Sequence, residues 1–173
     1  MAVRDIVLLG DPVLREPARE VEAFDDDLRA LVRDMFQTMV AAEGAGLAAP
    51  QVGISRRLFV AQVREEERLA ERFAVVNPRI VEASDDEDRA PEGCLSVPGV
   101  SEVVARPGAV VLEGFDPEGK PLRVEAEGLL ARVFQHEVDH LDGVLFFDRI
   151  SPLKRRMLLK KYRKQEGKAR EGV

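Results

Sequence analysis

A single cysteine, Cys94, stands in the 173 residues, so the chain forms no internal disulfide and gains nothing from an oxidising compartment. No apolar run approaches the ~18 residues that a membrane-spanning helix needs. The opening MAVRDIVLLGDPVL sets Asp5 and Pro12 where a signal peptide needs an unbroken apolar stretch, so a cytoplasmic location with no membrane partner is expected. Internal repeats and low-complexity segments are missing too. With 45% hydrophobic and 34% charged residues, the composition excludes intrinsic disorder and fibrous repeats. What is left is one domain spanning residues 1–173. A folded chain of this size hides roughly 70% of the surface its unfolded form exposes, so a metal is not needed as a staple and would be functional first.

The net charge of −6 conceals a split. Residues 151–173 carry nine Lys or Arg against Glu166 and Glu171, a net +7, which leaves −13 on the first 150 residues. A basic tail on an acidic body suits a polyanionic partner; it also suits a solvated terminal helix.

Apolar residues at Leu28, Leu31, Val32, Met35 and Met39 predict a helix over Asp25 to Ala42, capped by Asp25 or Asp26 and ended by Gly44 and Gly46. Strands are expected at Leu58 to Val63, Phe73 to Val81, Val100 to Ala105, Ala109 to Phe115 and Leu122 to Ala126, in an antiparallel arrangement. The charged run Arg64 to Arg72 reads as an exposed hairpin or short helical excursion. Asp85 to Asp88 reads as a solvated acidic loop, since the glycine and distal glutamate of a calcium loop are missing. A second helix is predicted over Gly128 to Leu141, and Ser151-Pro152 starts a third. On that third helix Leu153, Met157, Leu158 and Tyr162 are expected to form one apolar face.

Histidine is nearly as scarce as cysteine, and both copies, His136 and His140, fall in His136-Glu137-Val138-Asp139-His140 inside the second predicted helix. Residues four apart share a helical face, so both imidazoles reach one metal ion while Glu137 addresses a water beside it. A catalytic metal wants a third protein ligand. The position that holds a third histidine in one class of metallopeptidase is Phe146 here, and the downstream carboxylates Glu166 and Glu171 lie in the basic tail. Cys94 is the best soft ligand, although a lone cysteine is most often a buried inert thiol. A metallopeptidase acting on internal peptide bonds stays open as an alternative.

Three segments, Gly44-Ala45-Gly46-Leu47-Ala48-Ala49-Pro50-Gln51, Glu92-Gly93-Cys94-Leu95-Ser96 and Gln135-His136-Glu137-Val138-Asp139-His140, together resemble the signature motifs of the peptide deformylases, of the bacterial type. The resemblance covers nearly the whole chain. It implies an α+β fold, with antiparallel β-sheets wrapped around a central metal-binding helix, an N-terminal helix and a C-terminal helix, the last being the basic segment 151–173. It implies a hydrolase that takes the formyl group from N-formylmethionyl nascent peptides. Cys94, His136 and His140 would bind one divalent ion, expected to be Fe(2+) in the cell with Zn(2+), Ni(2+) or Co(2+) in purified protein. Glu137 would move the proton, and the Gln51 amide and Leu95 N–H would stabilise the oxyanion. Gly44, Gly46 and Gly93 would let the extended peptide approach, and Leu129 and Val133 would line the pocket for its first side chain, with Arg106 near it. The basic C-terminal helix would dock on the ribosome near the nascent-chain exit.

Overall fold

The computed structural model describes residues 2–64 and 70–171. The centre of the charged run, residues 65–69, lies outside the described residues, and so the hairpin or helical excursion expected there is not addressed. Helix α1 (Asp26–Ala41) is followed by seven strands: β1 (Gly46–Ala48), β2 (Leu58–Val63), β3 (Glu71–Ala83), β4 (Asp88–Cys94), β5 (Val97–Arg106), β6 (Ala109–Phe115) and β7 (Pro121–Glu127). Helices α2 (Gly128–Leu141) and α3 (Pro152–Glu171) complete the chain. The strands form a five-stranded antiparallel sheet in the order β1-β2-β3-β6-β7 and a separate hairpin, β4-β5. Among the described residues no helix is long and apolar enough to cross a membrane.

Strand β2 is apolar at nearly every position because both of its faces are covered. Phe59, Ala61 and Val63 face α2, where Phe134 meets Phe59 and Phe73 at ring-centroid distances of 5.7 and 5.2 Å. Leu58 and Val60 face Leu28, Met35 and Met39 of α1. This two-sided burial follows from the pleat, which sends alternate side chains to opposite layers. A third cluster joins Val97, Val100 and Val104 of β5 to Phe146, Phe147, Leu158 and Tyr162. Of the apolar face expected on α3, Leu158 and Tyr162 are buried, whereas Leu153 and Met157 are 59% and 63% exposed. The two pairs each repeat every four residues but lie on different stripes of the helix.

Asp25 caps α1, its carboxylate accepting from the Leu28 N–H at 2.9 Å. The helix does not stop on glycine. Glu43 takes the left-handed conformation, φ 57°, while its N–H donates to Val40 O and the Gly44 N–H donates to Met39 O. This is the paired-bond ending in which glycine usually holds the left-handed position. Two short strands also differ from expectation: β4 and β1 were not predicted. Residues Asp88–Cys94 include Pro91 and Gly93, both poor strand formers, and β1 is only three residues long. The acidic loop ends at Glu87, where β4 begins at Asp88.

Candidate functional site

Helix α2 carries Arg132, Glu137, Asp139 and His140 buried among its apolar residues, an arrangement that needs partners for every charge. The partners come from the hairpin. Cys94 closes β4 at a register shift in the ladder, beside the turn to Val97, and its Sγ lies 3.3 Å from His140 Nε2. The ligand atoms of Cys94, His136 and His140 all lie within 4.8 Å of one another.

Glu92, two residues before Cys94 on the same strand, accepts from His136 Nδ1 at 2.8 Å. Because a carboxylate only accepts, Nδ1 carries a proton and Nε2 is the atom left to ligate on the thiol side. Without a metal, burial is outweighed by the bonds to Cys94 and Glu92, which hold the imidazolium well above the usual histidine range. Burial alone would raise the Glu92 carboxyl, but its bonds to His136 and Arg106 hold it down at about 2. Glu137 has no such donors. Burial pushes its carboxyl up to about 7, and its Oε1 has no hydrogen-bond partner among the described residues. Burial likewise holds His140 neutral, the form in which an imidazole ligates, and His140 Nδ1 is also without a partner among the described residues.

Gln51 is anchored at one end and offered at the other. Its Oε1 accepts from the Ala48 N–H at 3.0 Å, which turns its amide nitrogen toward Ser96 Oγ at 3.2 Å and Cys94 Sγ at 3.6 Å. Gly46 packs flat on the Glu137 carboxylate, since a Cβ there would come within 2.6 Å of Oε2. At Gly44 an added Cβ would meet Leu95 Cδ1 at 2.8 Å. Gly46 is therefore needed for space at the site, whereas at Gly44 the end of the Leu95 side chain could give way, and the end of α1 falls to Glu43.

A cavity of about 510 Å³ opens over these groups. Its lining includes Gly44, Gly46 and Gln51 on one side, Gly93, Cys94 and Leu95 on the other, and Leu129, Val133, His136 and Glu137 along α2. His140 is buried behind them, 1% exposed. The structure thus brings the sequence-predicted site residues together, with Val133 buried and Leu129 half exposed at the mouth. Arg106 is placed otherwise: it lies off this cavity, its guanidinium bonded to Glu92 and Asp139. Phe146, where one class of metallopeptidase has a third histidine, is buried with its ring stacked on His136 at 6.3 Å.

Sequence reasoning gave no role to Glu92, Ser96, Arg132 or Asp139. Strand alternation puts Glu92 on the face of Cys94, and helical spacing puts Arg132 one turn before His136; those are the signals that could have found two of them.

The donor set and the unpartnered Glu137 oxygen fit a divalent metal. Two imidazoles and one thiol converge, a carboxylate oxygen without a partner among the described residues lines the same cavity, and the cavity leaves one side open.

Comparison with known proteins agrees with this geometry. Residues 3–156 match the family model described as polypeptide deformylase. A peptide deformylase of Brucella suis biovar 1 is 48% identical over 164 residues, covering 95% of this chain and 94% of that protein. One from Rhizobium meliloti is 46% identical over the same length, again 95% and 94%. Among solved structures, a peptide deformylase from Legionella pneumophila is similar with a TM-score of 0.87 at 46% identity, covering 95% of each chain. One from Ehrlichia chaffeensis in complex with actinonin is similar with a TM-score of 0.90 at 40% identity, covering 96% of this chain and 99% of that one.

Proposed function

The chain belongs to the peptide deformylase family, a metallohydrolase that removes the N-formyl group from newly made polypeptides, and we propose that Cys94, His136 and His140 hold its metal. The observation that carries this reading is the convergence of those three ligand atoms within 4.8 Å beside the unpartnered Glu137 carboxylate oxygen. When bound, a divalent ion supplies Lewis acidity to a water and to the formyl carbonyl.

In the proposed reaction Glu137 accepts a proton from the attacking water as the new oxygen–carbon bond forms. The charge that develops on the former carbonyl oxygen is met by the Gln51 amide, fixed by the Ala48 N–H, and by the Leu95 backbone N–H. Glu137 then passes the proton to the departing nitrogen as the carbon–nitrogen bond breaks, releasing formate and a free amine. Burial raises this carboxyl above the ordinary glutamate range, which suits a group that must both take and return a proton. Gly44, Gly46 and Gly93 leave room for an extended peptide, and Leu129 and Val133 offer an apolar wall to a methionine side chain.

Two imidazoles and a thiolate suit iron(II), zinc, nickel or cobalt alike. Iron(II) is the ion proposed in the cell, with the others in purified protein. Residues 1–173 are proposed to work as one catalytic domain. Protein reconstituted anaerobically with iron(II) should release formate from formyl-Met-Ala-Ser and leave casein intact. Casein cleavage without formate release would overturn the assignment.

The ribosome near the nascent-chain exit is the proposed partner of α3, and the cytoplasm the proposed location. What supports the docking is the exposure of Lys154, Arg155, Arg156, Lys160, Lys161, Arg163 and Lys164 on this helix. Contacts of this kind release counterions, so binding should weaken steeply with salt. Reversing the charge of Lys160, Lys161 and Lys164 should abolish co-sedimentation with ribosomes at low salt while hydrolysis of a short formylated peptide continues. Binding that survives the reversal, or that ignores salt, leaves α3 a solvated helix.

A further inference from the structure

The metal ligands sit on two elements that share no ladder. Cys94 belongs to the β4-β5 hairpin, whereas His136 and His140 belong to α2, whose backbone packs closely on β1, β2 and β7. Something must fix the hairpin against the helix, because a ligand set displaced by an ångström no longer closes on one ion. The third apolar cluster holds β5 to α3 and to Phe146 and Phe147, with the partly buried Cys94 packed against it, but none of its residues belongs to α2, so it keeps the hairpin on the body without tying it to that helix.

Arg132 spans that gap. It lies on α2 one turn before His136, its side chain 6% exposed, and its guanidinium reaches three acceptors on the hairpin. Nη1 donates to Glu92 Oε2 at 2.6 Å and to Val104 O at 3.0 Å, and Nη2 donates to Asp88 O at 2.7 Å. One side chain therefore grips β4 at two points and β5 at one. The same Glu92 carboxylate orients His136 through its other oxygen. Arg106 grips Glu92 from the far side with Nε and Nη2, at 2.5 and 2.9 Å, so the carboxylate is held between two planar forks.

We propose that Arg132 is a positioning residue for the metal centre: it pins the strand that carries Cys94 and Glu92 to the helix that carries His136 and His140. This rests on the metal site proposed above. The planar fork matters here, since a lysine ammonium supplies the charge but does not span Glu92, Val104 and Asp88 together.

The test uses the full chain loaded with cobalt(II), whose affinity and thiolate-to-cobalt band read the ligand geometry directly. In Arg132→Met, which keeps most of the stem and removes the fork, cobalt affinity should fall about tenfold, as loss of an outer partner of a ligand typically does. The thiolate band should weaken, and kcat should fall by a similar factor with a smaller change in KM. Arg132→Lys should recover part of the affinity. Wild-type affinity and band in folded Arg132→Met overturn the proposal. So does failure of both variants to fold without metal, which would make Arg132 a residue of the fold alone. A wild-type protein that takes up no cobalt overturns the metal site itself, and the two failures are thereby told apart.

Discussion

Toward the five-stranded sheet α2 presents Ala131, Phe134, Val138 and Leu141, whereas toward the hairpin it presents Arg132, His136, Asp139 and His140. The first side is joined by close-packed apolar surface, which stabilises the fold but constrains direction only loosely. The second side is joined by buried ion pairs and charged hydrogen bonds. Their attraction is largely offset by the cost of taking the charges out of water, so they add little net stability and act mainly on orientation. Asp139 shows the pattern, accepting from Arg106 on one side and Arg149 on the other. One helix thus separates holding the protein together from aiming its ligands.

That separation is sharpest at Glu137. Glu137→Gln keeps the shape and removes the base, so turnover should fall by about 10³- to 10⁴-fold, the upper range for a positioned acid–base group. Cobalt affinity should stay and the unfolding temperature should not drop; loss of the metal would show that Glu137 is a ligand. The opposite result is expected on the sheet side. Phe134→Ala removes a fully buried ring between Phe59 and Phe73 and should cost about 3–5 kcal/mol of stability in denaturant titrations. Protein that remains folded should keep its cobalt band and its kcat, and a changed band would break the division between the two sides. Gln51→Glu is subtler: an acceptor for the Ala48 N–H remains while the donor to the oxyanion is lost. We expect a loss of about 10²-fold in kcat, with some loss of stability because a charge is then buried beside Cys94 Sγ.

The same division explains what could be read from the sequence. Elements defined by apolar periodicity were legible: β2, β6 and α2 lie at the expected bounds, and α1 within one residue. His136, Glu137 and His140 were legible because four-residue spacing on a helix is itself a geometric statement. The hairpin's first strand was not, since Pro91 and Gly93 hide it, and with it went the role of Glu92. Long-range ion pairs leave no periodic trace. Arg132 and Glu92 stand 40 residues apart: local spacing can place each beside a ligand, but their pairing shows only once the hairpin lies against α2.

Glycines near the site offer the smallest and most discriminating comparison. Gly44 and Gly46 look like a helix stop, yet the left-handed residue is Glu43, φ 57°, exposed and without a glycine's freedom. A left-handed conformation costs a non-glycine residue roughly 1–2 kcal/mol. Replacing it by glycine removes that cost but loosens the unfolded chain by roughly 0.5–1 kcal/mol. Glu43→Gly should therefore stabilise the protein by about 0–1.5 kcal/mol, a rise in Tm of at most roughly 3–6 °C for a chain of this size. Formate release should be nearly unchanged, because Glu43 is exposed and does not line the cavity. Gly46→Ala, three residues on, should do the reverse: its methyl would meet the Glu137 carboxylate at 2.6 Å, so turnover falls while the end of α1 is untouched. If Glu43→Gly lowered Tm, the left-handed turn would owe its stability to the glutamate side chain. If Gly46→Ala kept full activity, the close approach of backbone to Glu137 would play no part in placing the base.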